Sequence, residues 1–165
     1  MELYSISSPR THRSGDQPTS ALETHLGYWL RLVSNEVSRA FASVLHEQGM
    51  SVAEWVAMNQ LAAGTALTSA KLASTMGMTR GAISKILDKL DSKKLISRSI
   101  SSVDSRVQFL SLTERAKRVL PRLTSVADGN DNHYFAALDS DEKASLYKLL
   151  RKLAEFHQMT RIPVE

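Results

Sequence analysis

The chain has 165 residues, with 21 Lys and Arg against 17 Asp and Glu and a formal net charge of +4. Its apolar fraction of 42% is enough for a folded core, and no stretch approaches the run of about 18 apolar residues that a membrane span needs, nor does the N-terminus show the basic-then-apolar order of a signal peptide. Cysteine is absent, which excludes a disulfide framework, a thiolate metal site, a nucleophilic cysteine and thiol-based redox sensing, and fits a reducing cytoplasm.

Residues 1–19 are rich in Ser, Thr, Pro and Gly without any period and read as a flexible arm, made slightly basic by Arg10, His12 and Arg13. From Ser20 onward Leu22, Leu26, Leu30, Val33, Val37, Phe41 and Leu45 recur at spacings of three and four. They predict one long amphipathic helix closed near Gly49, with an apolar stripe too long for a small protein to cover by itself. Ser51 and Glu54 form a capping box flanked by Met50 and Trp55, so a second helix starts at Val52 and runs to about Ala63. Thr68 caps a short third helix, Gly77 supplies a tight turn, and Thr79 caps a fourth helix from Arg80 to Lys94.

After Lys94 the period drops to two. Leu95 to Ile100 and Val107 to Leu110 predict two strands joined by a polar hairpin. Thr113 caps a fifth helix that contains Pro121, expected to kink it, and that the segment Gly129–Asn132 is expected to end. Asp139 and Glu142 form a second capping box, opening a last helix with Leu146, Leu149, Leu150 and Leu153 on its apolar face. The result is a mostly α fold with a small β-hairpin. Residues 51–112 have the order of a winged helix-turn-helix lobe.

The fourth helix is two-faced. Ile83, Ile86, Leu87 and Leu90 share one side, while Arg80, Gly81, Ser84, Lys85, Asp88 and Lys89 occupy the other. Such a helix can anchor to a domain and offer cations and short hydrogen-bonding groups to a DNA major groove, with Gly81 leaving room for close backbone approach. Charge is placed accordingly. Within 51–112, Lys71, Arg80, Lys85, Lys89, Lys93, Lys94, Arg98 and Arg106 stand against Glu54, Asp88, Asp91 and Asp104, so this segment alone carries the whole +4.

At this point the chain resembles the MarR family of bacterial transcription regulators. The resemblance is carried by Leu72-Ala73, Gly77, Leu87 and Leu90, Leu95-Ile96-Ser97-Arg98, Asp104-Ser105-Arg106 and Leu112-Thr113, in that order, and extends to residues 20–158. It implies a homodimer in which segments 20–50 and 113–160 intertwine, and a repressor of double-stranded DNA that binds a pseudo-palindromic operator. The fourth helix would enter the major groove and the wing an adjacent minor groove. The implied DNA-binding set is Thr79, Arg80, Gly81, Ser84, Lys85, Lys89, Arg98, Asp104 and Arg106. Arg106 reaches the minor groove, and Asp104 orients Arg106 or pairs with Arg98.

The resemblance further implies release by a small amphipathic or phenolic effector, for which His25, Tyr28, Trp29, Trp55 and Met58 are the candidate lining. Two positions depart from the family pattern: Lys94 and Ala116 stand where many members have Gly. Lys94 is expected to alter the approach of the wing.

No cofactor is implied, and the five histidines show no metal-ligand spacing. Enzyme fingerprints such as H-E-x-x-H, G-x-S-x-G and the phosphate-binding Gly-rich loop are missing. The rival reading is a helical protein–protein adaptor, which has no use for a basic reading head.

Overall fold

Capping chemistry sets most of the helix boundaries in the computed structural model, which describes residues 21–64, 68–100, 108–160 and 162–164. The arm at 1–19 lies outside the described residues, as do Asp104, Arg106 and Val107. The elements are α1 (Leu26–Glu47), α2 (Val52–Ala62), α3 (Ser69–Met76), α4 (Arg80–Ser92), β1 (Ile96–Ile100), β2 (Gln108–Leu112), α5 (Glu114–Tyr134) and α6 (Ser140–Phe156). Both capping boxes form: Ser51 Oγ accepts from the Glu54 amide and the Glu54 carboxylate from the Ser51 amide, and Asp139 and Glu142 exchange the same pair of bonds. Thr68, Thr79 and Thr113 cap α3, α4 and α5 through their hydroxyls.

The chain divides between Val33 and Ser34 into two compact units. In the first, the expected unbroken helix is interrupted. Leu22–Thr24 form a 3₁₀ turn, His25 is extended, and α1 begins only at Leu26. The break is local in origin. The Thr24 hydroxyl and amide both donate to the Ala21 carbonyl, and the Trp29 indole N–H takes the Glu23 carbonyl at 2.8 Å, so the backbone has partners without helix continuation.

The core lies in the second unit. Leu45, Met50, Ala57, Met58, Leu72, Met76, Ile83, Leu87, Leu90, Ile96, Leu110 and Leu123 are buried together. β1 and β2 pair antiparallel, with Ile96 opposite Leu112 and Arg98 opposite Leu110, and Thr68 bridges to Phe109 on the far side of β2. α5 corrects the expectation of a break, since it continues through Pro121 and Gly129–Asn132 to Tyr134. Tertiary contact outweighs weak local propensity here: the Asn130 side-chain amide donates to the Val37 carbonyl of α1 at 3.3 Å.

A left-handed glycine, Gly64, follows α2, and four other helices share one further feature. After α1, α3, α4 and α6 a left-handed residue follows, namely Gly49, Gly77, Lys94 and Gln158. In each case the amide one residue further on reaches back across the last turn, as from Met50 to Leu45 and from Leu95 to Leu90 at 2.9 Å. Lys94 therefore adopts a conformation that favours glycine, with φ at +57°, and the turn into β1 is made at the cost of a Cβ in the left-handed region. We expect Lys94→Gly to stabilise the fold by about 0.5–1 kcal/mol, the relief of left-handed strain less the greater chain entropy of glycine. A denaturation midpoint that stays put or falls would contradict this strain.

Candidate nucleic-acid interface

α4 is built as its sequence pattern requires. Ile83, Ile86, Leu87 and Leu90 are buried, while Arg80, Gly81, Ser84, Lys85, Asp88 and Lys89 are exposed. Thr79 is exposed too, and its hydroxyl is engaged in capping at the Ala82 amide. The side chains of Arg80, Ser84, Lys85 and Lys89 make no hydrogen bond or ion pair with any described residue. A Cβ built on Gly81 meets nothing within 4 Å, so the protein's own packing does not demand glycine there.

The acids of this helix are consumed from the wing side. Arg98 on β1 sends Nη2 to Asp88 Oδ1 at 3.2 Å and Nε toward Asp91 Oδ2 at 3.8 Å. Asp88 and Asp91 lie one turn apart, so a single guanidinium fastens the hairpin to the helix and offsets both negative charges. The cations left over point outward from the first three turns of α4. Ser97 and Ser111 join across the hairpin at 2.7 Å. The sequence offers Asp104 either Arg106 or Arg98 as partner; both wing-tip residues lie outside the described residues, and the described partners of Arg98 are Asp88 and Asp91.

The back of the helix is held by a pair that local patterns do not reveal. Glu54 is 3% exposed. One of its oxygens accepts the Ser51 amide at 2.7 Å and the other the Lys93 ammonium at 2.6 Å. Lys93, the C-cap of α4, also donates to the Gly49 carbonyl at 2.7 Å. Burial pushes the Glu54 carboxyl up, but the hydrogen bond from Lys93 and those from Ser51 outweigh it and hold the group below its ordinary value of 4.5.

The candidate ligand residues have separate surroundings. In the first unit, His25 ends the 3₁₀ turn, and Trp29 is fixed by its bond to Glu23 and packs edge-on against Tyr28 at 5.3 Å. In the second unit, Met58 is wholly buried in the core, and Trp55 packs edge-on against Phe41 at 5.1 Å. Among the described residues, Trp55 Nε1 is the buried side-chain polar atom without a hydrogen-bond partner. A cavity of about 850 Å³ opens between the end of α2, β2 and the Leu120–Thr124 turn of α5, and neither Trp55 nor Met58 lines it.

A tri-helical lobe with a two-faced third helix and a hairpin clasped to it defines a winged helix-turn-helix protein. Residues 48–107 match the family model described as MarR family. Curated relatives include an uncharacterized HTH-type transcriptional regulator of Bacillus cereus, 27% identical over 83% of this chain and 93% of its own length. An HTH-type transcriptional repressor of Mycobacterium bovis is 27% identical over 78% of this chain and 92% of its own. Among solved structures, Escherichia coli MarR complexed with operator DNA superimposes with a TM-score of 0.66 at 22% identity, covering 78% of this chain and 92% of that one. A Mycobacterium tuberculosis MarR-family protein complexed with salicylic acid gives 0.64 at 26% identity, covering 78% and 96%. These likenesses share the winged helix-turn-helix fold, and the MarR family match rests on residues 48–107.

The Glu54–Lys93 pair predicts a sign reversal with pH. In the wild-type protein Glu54 is depressed, so its contribution to stability is present above 4.5 and is lost as pH falls through the lower folded value. Lys93→Met should cost about 3 kcal/mol at neutral pH by leaving a buried carboxylate unpaired. Burial then raises Glu54, so the variant should regain stability on acidification where the wild type loses it. Parallel pH profiles of the two unfolding midpoints would contradict the pairing.

Proposed function

We propose that the chain is a homodimeric, sequence-specific repressor that binds a pseudo-palindromic operator in cytoplasmic DNA. Residues 51–112 serve as the reading lobe and 20–50 with 113–160 as the dimerisation region. The observation that carries this reading is the outward face of α4, where Arg80, Ser84, Lys85 and Lys89 are exposed while Asp88 and Asp91 are taken up by Arg98. Thr79 sets the helix start, Gly81 admits close approach, and Arg106, with Asp104 two residues before it in the sequence, is assigned to a minor groove.

Dimerisation is supported by apolar surface that the chain leaves uncovered. No residue of α6 is buried, and Leu149, Leu153 and Phe156 are among its exposed large side chains. A repressor role accords with the Mycobacterium bovis relative's name. Effector release accords with the salicylic acid complex of the Mycobacterium tuberculosis protein and with the Trp55 N–H, a buried donor suited to a phenolate or carboxylate oxygen. His25, Tyr28 and Trp29 remain candidates for the same role.

Operator affinity should fall steeply with salt, and Arg106→Ala should weaken it and flatten the log–log slope by about 0.9 if the side chain meets one phosphate-lined groove, with the dimer intact by sedimentation. Duplex affinity that is weak at every salt concentration would favour the adaptor reading. Gly81→Ala separates fold from function: we expect about 0.5–1 kcal/mol of added stability from helix propensity together with loss of operator binding. Full operator binding in that variant would remove Gly81 from the interface.

A further inference from the structure

The chain returns to the lobe after α6. α5 has its buried residues, Ala116 and Leu123, in its first half, and α6 buries none. From their lengths in residues, α5 is about 30 Å long and α6 about 25 Å. Beyond α6, however, Ile162 and Val164 are half-buried and pack against the core of the lobe, with Pro163 exposed between them.

Local sequence accounts for the return. Gln158, with φ at +51°, follows α6 in the left-handed region. The Met159 amide reaches back to the Ala154 carbonyl at 2.8 Å, so the chain is turned out of the helix direction. Pro163 fixes its own φ and biases Ile162 toward extended backbone. In extended chain alternate side chains fall on opposite sides, which matches the inward, outward, inward order of residues 162–164.

We propose that residues 162–164 are a strap that fastens the end of α6 to the core of the lobe and so sets the angle between α6 and the lobe. The contact consists of two half-buried aliphatic side chains, at the end of a helix with no buried residue of its own. A contact that small is the part of the structure between α5 and the chain end that opens most readily. Closed, the strap holds α6 at both ends. Open, it leaves α6 held through the turn after α5. In the proposed dimer α6 belongs to the frame, so the strap also fixes the pose in which each lobe is presented to DNA. This consequence rests on the proposed function, whereas the strap itself does not.

The chain has no cysteine, so Ser74→Cys on α3 and Lys148→Cys on α6, both exposed, carry two spin labels without competing sites. Labelled full-length chain, diluted with unlabelled chain, gives the lobe-to-α6 distance distribution by pulsed electron spin resonance. We expect one narrow distribution, which the double substitution Ile162→Ser, Val164→Ser widens at least about twofold, as for a body freed to move on its hinge. Helical circular dichroism should be unchanged, because both positions lie outside the helices. If it is lost, Val164→Ala, which removes two methyl groups, is read in its place and should widen the distribution in the same sense. A distribution already broad in the unsubstituted chain, or one that the substitutions do not widen, would overturn the proposal.

Duplex affinity is measured on a sequence that the unsubstituted chain selects from a random pool. It should fall about tenfold in the doubly substituted chain, because a loosened lobe must be ordered on binding, while the salt slope stays the same. Unchanged affinity would overturn the link from strap to DNA. So would a shallower slope, which would assign the tail to DNA phosphates. The distance measurement contains no DNA, so the two failures are distinct: an unsubstituted chain that selects no duplex counts against the DNA-binding reading, and an unchanged distance distribution against the strap.

Discussion

The ion pair between Glu54 and Lys93 is the constraint around which the lobe is arranged. It joins three chain segments at one point: the turn after α1 through the Gly49 carbonyl, the start of α2 through the Ser51 amide, and the end of α4 through Lys93 itself. Apolar packing is non-directional and tolerates small rotations of one helix on another. A carboxylate that is 3% exposed does not. If α4 turned or slid, the charge on Glu54 would be left in the core without its cation, a penalty much larger than the gain from any one surface pair. The orientation of α4 is thus set from behind, leaving its outward face, proposed above to meet DNA, chemically free.

Arg98 completes that arrangement from the other side. The sequence offers it as a cation for DNA, and the structure gives it Asp88 and Asp91 as intramolecular partners. Its effect on the interface is indirect but substantial. Two negative charges on α4 are offset at the edge, and the hairpin is tied to the helix beside it. The local field over the front face then comes from Arg80, Lys85 and Lys89. Charge placement explains more than net charge does, because an unpaired Asp88 on the same face would oppose the approach of phosphate.

Burial is uneven along the chain. From Leu45 to Leu123 nearly every periodic apolar position is in the core, whereas α6 keeps its leucines in contact with solvent although its apolar pattern is just as regular. Periodicity reports that a face requires a partner and is silent on whether the partner belongs to the same chain. The unburied face of α6 is the physical basis for the proposed second copy, and it contrasts with the well-buried apolar positions of the lobe.

Local features of the sequence were legible. Caps at Ser51, Thr68, Thr79, Thr113 and Asp139 located five helix starts, since each is a hydrogen bond within a few residues of chain. The alternation after Lys94 located the hairpin, and the two-faced pattern of α4 separated its buried from its exposed positions. What failed was also instructive. Gly129–Asn132 carries weak helix formers, and the helix persists because α1 supplies a hydrogen bond to Asn130. Thr24 and His25 interrupt a stripe whose spacing is unbroken, because backbone groups there find other partners.

By itself the sequence determined the order of elements, the faces of each helix and the segment that holds the net positive charge. These follow from torsional preference and from period, both of which act over a few residues. Tertiary structure decided which charges cancel and which remain available: Glu54 with Lys93 across 39 residues, Arg98 with Asp88 across ten, and Arg115 and Arg122 left open beside a cavity. It also placed Lys94 in the left-handed region, where the turn geometry needed by Leu90 and Leu95 overrides the preference of the residue itself. Such choices depend on distances that exist only once the helices have packed.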